Sequence, residues 1–98
     1  MNSQICDAVH LRIVLELRYH AYSRLVEPYL YGVSRVGDEL LRCYQVAGGS
    51  VGGDRRGWKL LKVSEIAAFH ATQTSFEPRA RSYNPQDPGI PEIYCRIE

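Results

Sequence analysis

The sequence predicts a mostly β, single-domain fold: a short N-terminal helix, an antiparallel meander of five strands and an extended, proline-rich C-terminal arm. Three observations predict it. Apolar and polar residues alternate from Leu11 to Tyr19; short apolar runs separated by glycine-bearing turns follow; and Pro78, Pro85, Pro88 and Pro91, four of the five prolines, crowd the last quarter. With 98 residues and 45% hydrophobic content the chain can build one core and not two, so residues 1–98 are read as one domain.

The helix is expected over residues 3–10. Asn2 and Ser3 are good N-cap residues, and Ile5, Ala8 and Val9 recur at helical spacing. From there the period changes to two. Leu11, Ile13, Leu15, Leu17 and Tyr19 form one face, and Arg12, Val14, Glu16, Arg18 and His20 the other, as in a half-buried strand. Arg24 to Tyr31 reads as a second strand, in which Pro28 cannot donate to a ladder and so implies an edge position or a bulge. Residues 32–38 form a hairpin connection into a third strand over 39–46. Residues 47–54 hold four of the eight glycines and predict a mobile loop. That loop lacks the Lys-Ser/Thr ending of a nucleotide phosphate loop and runs instead into Arg55-Arg56. Trp58 to Val63 and, after a turn at Ser64-Glu65, Ile66 to Thr72 complete the strands, which lie within residues 11–73. The arm, 75–98, is expected to pack back on the body or on a second copy, with Ile90, Ile93, Tyr94 and Ile97 to bury.

Composition narrows the function. A formal net charge of +1 argues against a polyanion binder that works by bulk charge, so anion binding would need local clustering. Cys6, Cys43 and Cys95 are odd in number and widely spaced, which suits free thiols in a reducing, cytoplasmic setting better than a disulfide scaffold. Nothing near Met1 reads as a leader, and no apolar stretch is long enough to span a bilayer. Enzyme signatures are missing: His10, His20 and His70 are scattered, and no Cys-x-x-Cys, His-Glu-x-x-His or nucleophile-elbow pattern occurs. Cys6 and His10 lie one helical turn apart, but no third group completes a nucleophile. Neither a catalytic residue nor a cofactor or metal is expected.

The order of short helix, strand ending in Tyr19, Arg24-Leu-Val-Glu-Pro28, strand near Leu40-Leu41 and Trp58-Lys-Leu-Leu-Lys-Val-Ser-Glu-Ile66 resembles the WYL domain, a bacterial ligand-sensing module. The resemblance spans about Ile5 to Phe69 and implies that residues 11–73 close into a small Sm-like or SH3-like five-stranded antiparallel barrel. It also implies a cationic, aromatic groove for single-stranded nucleic acid or a nucleotide-like anion, in a transcription-regulation or defence context. The chain departs from the pattern at Glu39 and Leu40, where the family carries aromatics, and at Ser64 and Glu65, where it carries Asp-Arg. WYL domains usually follow a DNA-binding segment, so the resemblance implies a stand-alone sensor that acts through another protein.

The candidate ligand-binding residues are Tyr19, Arg24, Arg42, Tyr44, Arg55, Arg56, Trp58 and Lys59. Arginine offers a planar fork for phosphate, and aromatic faces stack on bases. Each has a plainer role. Trp58 is expected in the core rather than in a stack, Tyr44 suits either, and Tyr19 is core with its hydroxyl at the rim. Arg55 and Arg56 could be a solubilising loop tip or could close over an anion. Arg79 and Arg81 with Tyr83 form a second basic cluster that lines either the same groove or a subunit interface. The alternative function is a protein-interaction or assembly domain, a homo-oligomer such as a dimer, acting through an edge strand at Pro28 and through the arm.

Overall fold

A computed structural model describes residues 1–98. Helix α1 spans Ser3–Leu11, followed by strands β1 (Ile13–Tyr19), β2 (Tyr22–Val33), β3 (Glu39–Gly48), β4 (Gly57–Lys62), β5 (Ile66–Ser75) and β6 (Glu92–Arg96), with a 3-10 turn at Val63–Glu65. All strand pairs are antiparallel, in the order β4-β3-β2-β1-β5, and β6 pairs β2. The helix starts as its cap predicts: the Asn2 carbonyl oxygen Oδ1 accepts from Gln4 and Ile5 N–H. It ends later than expected, because Leu11 forms its last residue and is exposed rather than opening the first strand's apolar face.

The sheet is not closed. β4 and β5 lie at opposite ends of the strand order and are joined only through the 3-10 turn, so the expected five-stranded barrel is, in its pairing, an open six-stranded sheet.

Pro28 is not on an edge. β2 is central, paired throughout by β3. Its other side is shared: β1 covers Tyr22 to Val26, and β6 covers Leu30 to Val33. Pro28 falls in the gap between these two partners, beside an irregularity in the β3 register between Pro28 and Leu30. That irregularity is the bulge alternative that proline allows. Gly32 makes room for β6, since a Cβ there would collide with the Glu92 backbone.

The sixth strand brings a second correction. Cys95 pairs with Tyr31 on the sheet face that α1 covers, and it is bonded there to Cys6 as a disulfide, leaving only Cys43 free. The expectation of free thiols is overturned, and Cys6 cannot serve as a nucleophile beside His10. No helix is long and apolar enough to cross a membrane.

Register assigns the two faces of the sheet, because directly paired residues share a face. On the helix-covered face, Leu15, Leu17, Val26, Leu41, Cys43 and Leu61 are buried with Ile5, Ala8 and Val9 of α1. Tyr31 adds a polar tie: its buried hydroxyl donates to Glu39 at 2.6 Å and accepts from Asn2 N–H at 2.8 Å. Burial pushes its pKa up to about 12.

The β1–β2 hairpin is strained. Tyr19 pairs with Tyr22, and the two intervening residues, His20 (φ 50) and Ala21 (φ 69), are both left-handed, as a type I′ turn demands. Alanine gains nothing there to offset its Cβ clash, so Ala21→Gly should stabilise the fold by about 1 kcal/mol. Urea denaturation would show this as a raised midpoint at unchanged slope, and a lowered midpoint would contradict the turn.

Candidate functional site

The glycine loop, β1–β2 turn and start of β4 meet at one end of the sheet. Arg24 lies there on the helix-covered face, opposite Leu17 and Gly48 in register, and is only 4% exposed. Its guanidinium donates to the Tyr19 carbonyl at 3.1 Å and to Gln45 Oε1 at 3.4 Å. It also sits 5.1 Å from the Tyr19 ring centroid and 5.9 Å from that of Tyr22. No carboxylate pairs with it, and its Nε has no acceptor. A buried guanidinium is ordinarily paired, because desolvating an unpaired charge costs several kcal/mol.

The loop folds over this residue. Gln45 Nε2 donates to the Gly49 carbonyl at 3.0 Å, and Gly49 N–H donates to the Ser23 carbonyl at 3.3 Å. Gly49 has no Cβ because the Tyr22 ring lies against its backbone. Arg56 donates to the Val46 carbonyl at 2.8 Å and Lys59 Nζ to the Asp54 carbonyl at 2.7 Å, while Arg55 is exposed at the tip. Like Arg24, none of these three cations forms a salt bridge. Tyr19 reaches from β1 to β4, accepting from Lys62 N–H at 3.0 Å and donating to Glu65 at 3.5 Å. Glu65, where the WYL pattern carries an arginine, is held by His20 and Lys62, and the hydrogen bond from His20 is the chief cause of its lowered pKa.

Arg42, Tyr44 and Trp58 lie elsewhere. Register turns them to the opposite face, where the chain from Phe76 to Ile90 covers them. Arg42 is paired with Asp87, its Nε 2.6 Å from Oδ2. Asp87 is buried, which would raise its pKa, but the Arg42 bond and the Gly89 N–H outweigh that and hold it below the ordinary value. Arg79 donates to the buried Glu27 at 3.0 Å and stacks 3.8 Å from the centroid of the Tyr44 ring. Tyr29 is at the centre: its ring contacts Trp58, Phe76 and Tyr83, its hydroxyl donates to Glu27, and burial drives its pKa up to about 12.

The expected single groove is thus divided between two faces. Tyr19, Arg24, Arg55, Arg56 and Lys59 share the loop end, whereas Arg42, Tyr44 and Trp58 join Arg79 and Tyr83 on the arm-covered face. Gln45, Asp87 and Tyr29 were not anticipated at either place. Asp87 sits in the turn-forming run Asn84-Pro-Gln-Asp-Pro-Gly89, which signals a turn and not a buried acid, and Gln45 carried no signal. The three histidines stay apart, and no cluster of three His, Cys, Asp or Glu side chains is placed to hold a metal. Comparison of the chain with protein-family models, with curated proteins and with solved structures finds no match.

Proposed function

We propose that the chain is a binding module for a phosphate-bearing ligand, single-stranded nucleic acid or a nucleotide, held at the glycine-loop end by Arg24, Arg55, Arg56 and Lys59. The observation that supports this is their shared lack of any carboxylate partner, while Arg42 and Arg79 are both neutralised. An arriving phosphate would supply the counter-charge that buried Arg24 lacks, and the glycines would let the loop open to admit it.

The WYL-like resemblance points to the same ligand class and to a sensor role in gene regulation or defence. Under this reading the sheet curls toward an Sm-like barrel. The strand order and the Tyr19 hydroxyl spanning from β1 to β4 favour that curvature. The assembly alternative has less to rest on at Pro28, which lies in the central strand β2, while β6 pairs on one side only.

Fluorescence anisotropy with a labelled single-stranded oligonucleotide across a salt series tests the proposal. Log affinity should fall with log salt by about 0.7 per phosphate neutralised, and Arg55→Ala/Arg56→Ala should reduce that slope by about 1.4. The loop pair is chosen because its side chains are exposed and removing them leaves the core intact. Absence of binding at low salt, or a slope the double substitution leaves unchanged, would overturn the reading.

A further inference from the structure

We infer that strand β5 joins two copies of this chain, pairing antiparallel with β5 of the second copy about a two-fold axis at Phe69. β5 ends the strand order: β1 pairs with one side of it and no strand pairs with the other. Such an edge presents free N–H and C=O groups, and proteins ordinarily guard it with charge, proline or brevity. The other edges are guarded. β4 has 6 residues and carries Lys59 and Lys62, and β6 has 5, follows Pro91 and carries Glu92 and Arg96. β5 has 10 residues, Ile66 to Ser75, with no lysine, arginine, acid or proline among them.

The register of β5 with β1 is irregular near both ends and regular from Ala68 to Ala71, so new pairing is confined to the middle of the strand. That run is open on both faces. Ala68, His70 and Ala71 are exposed. A cleft of about 290 Å³ on one side is lined by Glu16, Arg18, Ala68 and His70. Another, of about 270 Å³, lies at the end of α1 between Ala8, exposed Leu11, Phe69 and Ala71.

Charge selects a second copy as the partner and Phe69 as the centre. On the face away from the helix, Arg18 pairs with Ala68 and Glu16 with His70. His70 Nε2 lies 3.0 Å from Glu16, whereas Arg18 has no salt bridge. A two-fold axis at Phe69 sets Ala68 opposite His70 of the copy. The row across four strands then runs Arg18, Ala68, His70 of the copy, Glu16 of the copy, with a cation at one end and an anion at the other. Symmetry produces this row twice. Moving the axis to Ala68 would put Arg18 at both ends of a row, and moving it to His70 would put Glu16 at both ends, so like charges disfavour either shift. On the helix-covered face the same axis brings the two Phe69 rings together as a cross-strand aromatic pair beside the apolar cleft. The contact consumes β5 of both copies, and the remaining edges carry charge, so association closes at the dimer.

None of Arg24, Arg55, Arg56 and Lys59 takes part, and no ligand is needed to observe the contact, so its failure would leave the phosphate proposal untouched. Sedimentation equilibrium from about 10 μM to 1 mM chain should show the mass rise from 11.2 kDa to twice that value and level there, as suits a short, reversible contact. Ala68→Lys/His70→Lys, at two exposed positions, fills the middle of each row with like charges and should weaken association at least about tenfold. Ala68→Glu/His70→Lys alters the same two side chains but alternates charge along each row, and should associate at least as tightly as the parent. A monomer mass throughout, a mass that climbs past the dimer, parent-like association of the first variant, or equal weakening of both variants would overturn the inference.

Discussion

Reduction of the Cys6–Cys95 bridge should lower the unfolding free energy by about 2–5 kcal/mol. The two cysteines are 89 residues apart, and chain-entropy reasoning puts a loop of that length near the top of the range, about 4.5 kcal/mol. The elements joined are individually weak. Helix α1 has 9 residues, short of the length at which an isolated helix persists in water, and β6 has 5 residues and pairs only with β2. The bond fastens both to the same side of the sheet, so its loss should release the N-terminal helix and the last strand together. Urea denaturation with and without a phosphine reductant measures the effect, and Cys6→Ser/Cys95→Ser should reproduce the reduced midpoint. Thiol labelling of the unfolded chain under non-reducing conditions should modify Cys43 alone; in the native state Cys43 should resist, because burial pushes its thiol up to about 12. Coincident urea midpoints, or labelling of all three thiols without reductant, would exclude the bridge.

The sequence carries this fold unevenly, and the reasons are physical. Period-two alternation located β1 because one side of that strand is buried over Leu15, Leu17 and Tyr19. The β2–β3 turn was legible because Gly37 takes φ 91, a conformation glycine provides freely. By contrast, the β1–β2 turn uses His20 and Ala21, which carry no turn signal, so β2 was expected to begin only at Arg24. Strand β6 was hidden among prolines, and with it the location of Cys95. Cysteine spacing cannot reveal a bond whose partners are brought together by two distant elements.

The site was half legible for a related reason. A cationic side chain can be read from sequence, but its counter-ion cannot when the two lie 45 residues apart, as Arg42 and Asp87 do. Arg42 and Arg24 look alike in the chain, each an arginine in a strand beside apolar neighbours. Register separates them: Arg42 faces the arm and finds a carboxylate, whereas Arg24 faces the helix side and finds only neutral oxygens and aromatic rings. The sheet face to which each strand turns its arginine decides which one remains electrostatically unsatisfied.

The arm's attachment to the sheet gives the second large effect. Arg79→Met should destabilise the fold by about 2–4 kcal/mol, because it leaves the Glu27 carboxylate buried without its cation. The expected figure is kept below the full cost of breaking a buried pair, since 35% of the Arg79 side chain is exposed against 8% for Glu27 and solvent screens the outer partner. Methionine preserves the stem's packing across Tyr44, so most of the loss should be electrostatic rather than steric. Removing both charges tests that attribution. Arg79→Met/Glu27→Leu should recover to within about 1.5 kcal/mol of the parent, because an apolar pair of similar size needs no desolvation and only the Tyr29 hydroxyl loses an acceptor. If the double variant were as unstable as the single one, the contribution of Arg79 would lie in holding the arm's shape against the Tyr29 and Tyr44 rings, and the Glu27 ion pair would be incidental to it. Equilibrium denaturation of the parent, Arg79→Met, Glu27→Leu and the double variant, arranged as a double-mutant cycle, separates these two outcomes.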